Sequence, residues 1–131
     1  MGEFDQVSKQ VLDAAMKVHS ALGPGLFEEV YKVCLKYQLQ KEKLKVFSEV
    51  GLPVTYDGVQ LELGYRIDLL VQDSLIVELK SVQKIAPVHR AQLLTYLKLA
   101  RKPVGLLLNF NSKHLKVGII RVVNSSPLRV L

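Results

Sequence analysis

After Lys43 the hydrophobic period of the chain changes from helical to about two, and that switch sets the class of fold. Before it, Val7, Val11, Ala14, Ala15 and Val18 recur at helical spacing over residues 5–21, and Leu22 continues the pattern. "GPG" at 23–25 stops that helix. A second helix is expected from about Leu26 to Lys43, with Phe27, Val30, Cys34 and Tyr37 as its apolar stripe. After it, "LKVFSEVGLPVTYDGVQLELGYRIDLLV" reads as strands broken by a hairpin turn at Asp57-Gly58. Asp73-Ser74 marks the next turn, and "LIVELKSV" is a further strand. Pro87 suits the first position of a helix that runs to Ala100. "PVGLLLNF" and "LKVGIIRVV" read as strands, and "NSSPLRVL" as loop with a short extended end. Helix, helix, three strands, helix, two strands implies one α/β domain over 1–131, a mixed β-sheet flanked by helices.

The run "YRIDLLVQDSLIVELK" puts charges inside segments that otherwise look buried. Side chains alternate across a strand. The odd positions Leu61, Leu63, Tyr65, Ile67, Leu69 and Val71 form an apolar set, continued by Leu75, Val77 and Leu79. The even positions carry Glu62, Arg66, Asp68, Glu78 and Lys80, so one face should be core and the other should collect the charges. A loop at 72–74 pairs Val71 with Leu75, Asp68 with Glu78 and Arg66 with Lys80. Opposed Cβ atoms lie roughly 4.5–5.5 Å apart, which sets two carboxylates against each other. Two readings follow. One is an amphipathic hairpin with a wet face, relieved by diagonal Asp68–Lys80 and Glu78–Arg66 pairs. The other is a divalent cation such as Mg²⁺ between Asp68 and Glu78, with the Leu79 carbonyl in its shell and the Lys80 ammonium beside it.

Composition narrows the function classes. At 49% hydrophobic and 23% charged, the chain can build a core, and no apolar run approaches the roughly 18 residues of a membrane span. Cys34 is the only cysteine, which excludes an internal disulfide and a multi-cysteine zinc site. With no signal-peptide core near the N-terminus, a cytoplasmic location is expected. A net charge of +6 is compatible with a nucleic-acid partner and equally with solvated lysines.

Asp68 followed by Glu78-Leu79-Lys80 resembles the signature of the PD-(D/E)xK nuclease superfamily. "GLFEEVY" looks like the G-x-x-E-x-x-Y motif of the GxxExxY family, through Gly25, Glu28 and Tyr31. Gln92 and Tyr96, with His89 three residues earlier, look like the helix motif of RecB-like members. The bland readings are a Glu28 favoured by the helix dipole, a Tyr31 in the core, a surface or capping His89, and a polar Gln92–Tyr96 face. The resemblance covers roughly residues 7–123 and implies a restriction-endonuclease-like αβββαβ core. It implies metal-dependent hydrolysis of DNA phosphodiesters, or of RNA. Asp68, Glu78 and Glu28, with the Leu79 carbonyl, would bind Mg²⁺ or Mn²⁺, and Lys80 would act on the attacking water. Gln92 and Tyr96 would contact the nucleic-acid backbone or support the site, and Arg66 and His89 would contact the nucleic acid. A domain this small suggests a homo-oligomer or a larger protein partner. The alternative of another class is a non-catalytic nucleic-acid- or protein-binding module on the same fold.

Overall fold

A computed structural model describes residues 5–125. Two helices come first, α1 over Gln6–Leu22 and α2 over Glu28–Lys41. Strands β1 (Val46–Gly51), β2 (Val54–Tyr56), β3 (Val59–Leu61), β4 (Arg66–Val71) and β5 (Leu75–Lys80) follow. Helix α3 (Pro87–Ala100) leads to β6 (Val104–Asn109), a 3₁₀ turn (Leu115–Gly118) and β7 (Ile119–Val123). The sheet order is β1-β4-β5-β6-β7; β5 and β6 run parallel and the other neighbours antiparallel. A parallel pair needs a crossover, and α3 supplies it. With β2 and β3 set aside as a separate hairpin, the order α2-β1-β4-β5-α3-β6 is the expected αβββαβ core.

Local chemistry accounts for the element ends. Asp5 caps α1, its Oδ1 accepting from the Ser8 N–H at 2.8 Å. Asp57 and Gly58 both have positive φ, 53° and 75°, as the two-residue turn between β2 and β3 requires. Pro87 opens α3 at its first turn.

Two apolar clusters hold the layers. Val11, Ala14, Tyr31, Leu35 and Leu39 of α1 and α2 pack with Leu69, Val71, Val77 and Leu106 on one face of the sheet. Leu93, Tyr96 and Leu97 of α3 pack with Ile67, Leu70, Ile76 and Leu107 on the other. Contact between α3 and β6 is tight at Gly105, where a Cβ would lie 2.8 Å from Leu93 Cδ1.

Three expectations change. The stripe α2 buries is Tyr31, Leu35 and Leu39, while Phe27 is 85% exposed and Tyr37 and Val30 are exposed as well. Both stripes have helical spacing; only Tyr31 can stack on Phe110, at 4.6 Å between ring centroids. Residues 61–71 are not one strand. Leu61, Leu63 and Tyr65 are exposed, because the sheet strand starts only at Arg66. "LKVGIIRVV" divides into the 3₁₀ turn and β7. Of the C-terminal tail, 126–131 lie outside the described residues.

Candidate active site

Strands β4 and β5 pair in the register that a loop at 72–74 dictates: Val71 with Leu75, Leu70 with Ile76, Leu69 with Val77. The ladder then stops. At the next position the side chains take over from the backbone. The Asp68 N–H donates to Glu78 Oε2 at 3.0 Å, and the Leu79 N–H donates to Asp68 Oδ2 at 2.9 Å. Each carboxylate thus fills the place of a carbonyl on the facing strand. The outer neighbours stay paired, β1 with β4 to Gly51–Arg66 and β5 with β6 to Lys80–Asn109. The β4–β5 ladder therefore ends here in an opening, while β1–β4 skips only the Glu49–Asp68 position and resumes at Val50–Ile67.

The chain also turns over here. Ile67 and Leu69 have the same parity, yet Ile67 packs under α3 and Leu69 under α1 and α2. Glu49, between the β1 partners of those two residues, has a φ of 55°. This corrects the single-wet-face expectation. Both faces of the sheet are covered, and Glu78 is only 7% exposed.

That burial dominates the electrostatics. It pushes the Glu78 carboxyl up to about 8, helped by the charge of Asp68 and by a hydrogen bond between the two carboxyl groups. The Asp68 N–H and the Lys80 charge act in the opposite sense. Lys80 is half-buried at the end of β5. The Tyr96 phenol is also raised, by burial first and then by the charges of Glu78, Tyr65 and Asp68. Its ring meets Tyr65 edge-on at 6.2 Å. Neither expected diagonal pair forms among the described residues; Asp68 Oδ1 instead faces Lys32 Nζ of α2 at 3.9 Å.

The G-x-x-E-x-x-Y residues shape the approach to this opening. Tyr31 is fully buried, and its hydroxyl donates to the Gly23 carbonyl at 2.6 Å and accepts from the Leu26 N–H at 3.1 Å. It clamps the loop in which Gly25 has a φ of 103°, a conformation that favours glycine. Ser81, just after β5, donates to the Leu26 carbonyl at 2.6 Å, so the loop is tied to the end of the strand that carries Glu78 and Lys80. Glu28 stands exposed at the first position of α2. Among the described residues no group of three or more His, Cys, Asp or Glu side chains converges as metal ligands would.

On α3, Tyr96 is buried within range of the charges of Glu78 and Asp68, while Gln92 is exposed. His89 caps the helix, its Nδ1 accepting from the Ala86 N–H at 3.0 Å. Arg66 is exposed at the start of β4, its guanidinium against Gly51. Leu79 points its side chain into the core beneath α1 and α2.

Sequence reasoning missed three residues. Lys32 gathers Glu29, Glu49 and Asp68; its signal was the helical spacing from Glu29. Glu49 lies in an alternating strand and looks like any solvated position. Asn109 was visible as the one amide in "GLLLNF". It is buried, donating to the Val82 carbonyl at 2.9 Å and accepting from the Val82 N–H at 3.1 Å, which fixes the chain leaving β5.

A mixed sheet with helices on both faces, opened at one strand pair by two carboxylates, defines an α/β protein of the restriction-endonuclease-like class. The chain belongs to the PD-(D/E)XK nuclease superfamily, whose family model matches residues 5–122. A comparison with curated proteins gives no match, and one with solved structures gives none either. Membership makes a nuclease-type function with a nucleic-acid substrate the class to which the chain is assigned. No helix among the described residues is long and apolar enough to cross a membrane.

Proposed function

We propose that the protein is a divalent-metal-dependent nuclease that hydrolyses phosphodiester bonds, with DNA as the favoured substrate and Asp68 and Glu78 as the metal-binding carboxylates. The opening of β4 from β5 carries this reading. Two carboxylates meet there at the cost of a raised Glu78 pKa, and each ties one oxygen to the facing backbone. The donor set suits Mg²⁺ or Mn²⁺, which take hard oxygen ligands and keep several waters. The Leu79 N–H is directed at Asp68, and a strand residue sends its N–H and carbonyl to the same side, so the Leu79 carbonyl is a third oxygen for that shell. Glu28 would join through a water or a rearranged first turn of α2. When bound, the cation polarises a phosphoryl oxygen and lowers the pKa of a water.

Lys80 supplies a fixed positive charge beside the pair; it orients the attacking water and offsets the charge that grows on the phosphoryl oxygens. Water forms the new P–O bond and loses a proton to solvent, the ester P–O bond breaks, and the leaving oxygen takes up a proton from solvent. Tyr96, whose phenol feels the charges of both carboxylates, would support the site, and Gln92, His89 and Arg66 would meet the strand backbone. A cytoplasmic setting, and assembly with a second copy or a larger protein, belong to the same proposal.

The test is cleavage of single- and double-stranded DNA and RNA with Mg²⁺ or Mn²⁺ present. Asp68→Asn, Glu78→Gln and Lys80→Ala should each lower the rate by 10² or more, about what loss of one key electrostatic group costs. Cleavage unaffected by all three changes removes the assignment. Salt-sensitive binding to nucleic acid without cleavage by the unmodified protein points to the non-catalytic module instead.

A further inference from the structure

Lys32 lies on the second turn of α2, and three carboxylates from three elements surround its ammonium. It hydrogen-bonds Glu49 of β1, lies 3.0 Å from Glu29 one turn earlier on α2, and lies 3.9 Å from Asp68 Oδ1 on β4. Its side chain is 13% exposed, whereas those of Glu29 and Glu49 are 70% and 49% exposed. An ordinary surface pair joins two mobile side chains and contributes little. Here a mostly covered ammonium is moored by two carboxylates and aimed at a third.

The third matters because of which oxygen it offers. Oδ2 of Asp68 is taken by the Leu79 N–H. Oδ1 accepts no backbone hydrogen bond among the described residues, and Lys32 faces it. We infer that Lys32 is a tethered counter-ion that competes with the divalent cation for Asp68 and sets the metal concentration the site requires. The inference rests on the assignment of Asp68 and Glu78 as metal ligands. Without metal, the ammonium offsets the Asp68 charge next to a buried carboxyl. When a divalent ion enters, Lys32 keeps Glu29 and Glu49 as partners and need not lose its hydrogen bonds in withdrawing. Even in a medium as polar as water, a unit charge about 5 Å from a divalent ion weakens its binding on the order of tenfold. Lys32 is thus a positioning residue for the metal, not a catalytic one.

Mn²⁺ titration of the metal-free protein, followed by the electron paramagnetic resonance of the free ion, tests this directly. Lys32→Met and Lys32→Gln should bind Mn²⁺ about tenfold more tightly, and Lys32→Arg, which keeps the charge, should stay near the unmodified protein. The glutamine variant retains a hydrogen-bonding group, in case methionine at this position impairs folding. Unchanged or weaker Mn²⁺ binding in the folded neutral variants overturns the inference, and so does equal tightening by arginine. Absence of Mn²⁺ uptake by the unmodified protein, or uptake undiminished by Asp68→Asn, removes the metal assignment itself, and the inference with it.

Discussion

Replacing Glu78 with glutamine should stabilise the metal-free protein while abolishing metal-dependent cleavage. Glutamine keeps the shape and an acceptor oxygen for the Asp68 N–H, and its amide can donate to the Asp68 carboxylate as a protonated Glu78 does. What it removes is the ionisation. Folding raises the Glu78 carboxyl from 4.5 to about 8. Below about pH 4.5 both the folded and unfolded chains hold the proton, and the group has no effect on stability. Between there and pH 8 the unfolded chain releases a proton that the folded chain keeps, so stability falls as pH rises, by about 1.4 kcal/mol per unit. At pH 7 this group therefore costs folding about 3 kcal/mol. For a chain of this length that corresponds to about 10 °C in melting temperature. Thermal melts in chelator at pH 5, 6, 7 and 8 read the effect. The unmodified protein should lose stability across the series, Glu78→Gln should lose much less, and the two should converge toward pH 5. A variant no more stable than the parent at pH 7, or a parent whose pH profile the variant reproduces, refutes the reasoning.

Further predictions rest on other parts of the structure. Divalent-metal affinity should rise with pH up to about 8, because metal must displace the proton that burial and Asp68 keep on Glu78; calorimetry should show proton release at pH 7. Tyr31→Phe leaves the stacking on Phe110 but frees the Leu26 N–H and the Gly23 carbonyl, and should cost about 1–3 kcal/mol in denaturant melts. Gly105→Ala drives a methyl into Leu93, and should cost about 1–3 kcal/mol and loosen α3, read by faster amide exchange in that helix. Asn109→Leu strands the Val82 N–H and leaves the Val82 carbonyl only the long 3.4 Å bond from Asn111 Nδ2, and should destabilise by about 1–3 kcal/mol, seen as a lower midpoint in urea.

Much of this architecture was legible because periodicity reports burial. Helix α1, the Asp57-Gly58 turn, α3 from Pro87 and the β4–β5 register all follow from local pattern and turn chemistry. Where two patterns competed, sequence could not choose. Helix α2 carries apolar residues on two stripes, and the tertiary partner of Tyr31 decides which is buried. Alternation extended across 61–71 failed for the same kind of reason. Leu61 belongs to a hairpin that pairs only with itself, and Leu63 and Tyr65 lie in the connection to β4. The candidate site was readable as Asp68 opposite Glu78, since their pairing needed only a loop length. Its surroundings were not. The reversal of faces at Asp68 goes with the positive φ of Glu49 on the adjacent strand, and the approach of Lys32 depends on how α2 lies across the sheet; no local spacing records either.

The most direct measurement is anomalous diffraction from a crystal soaked in Mn²⁺. A single strong peak in the opening between β4 and β5, about 2.0–2.2 Å from an oxygen of Asp68 and one of Glu78, is the result expected from a hard divalent ion. Manganese bound only elsewhere on the chain, with both carboxyl groups still bonded to the facing backbone alone, would contradict the account.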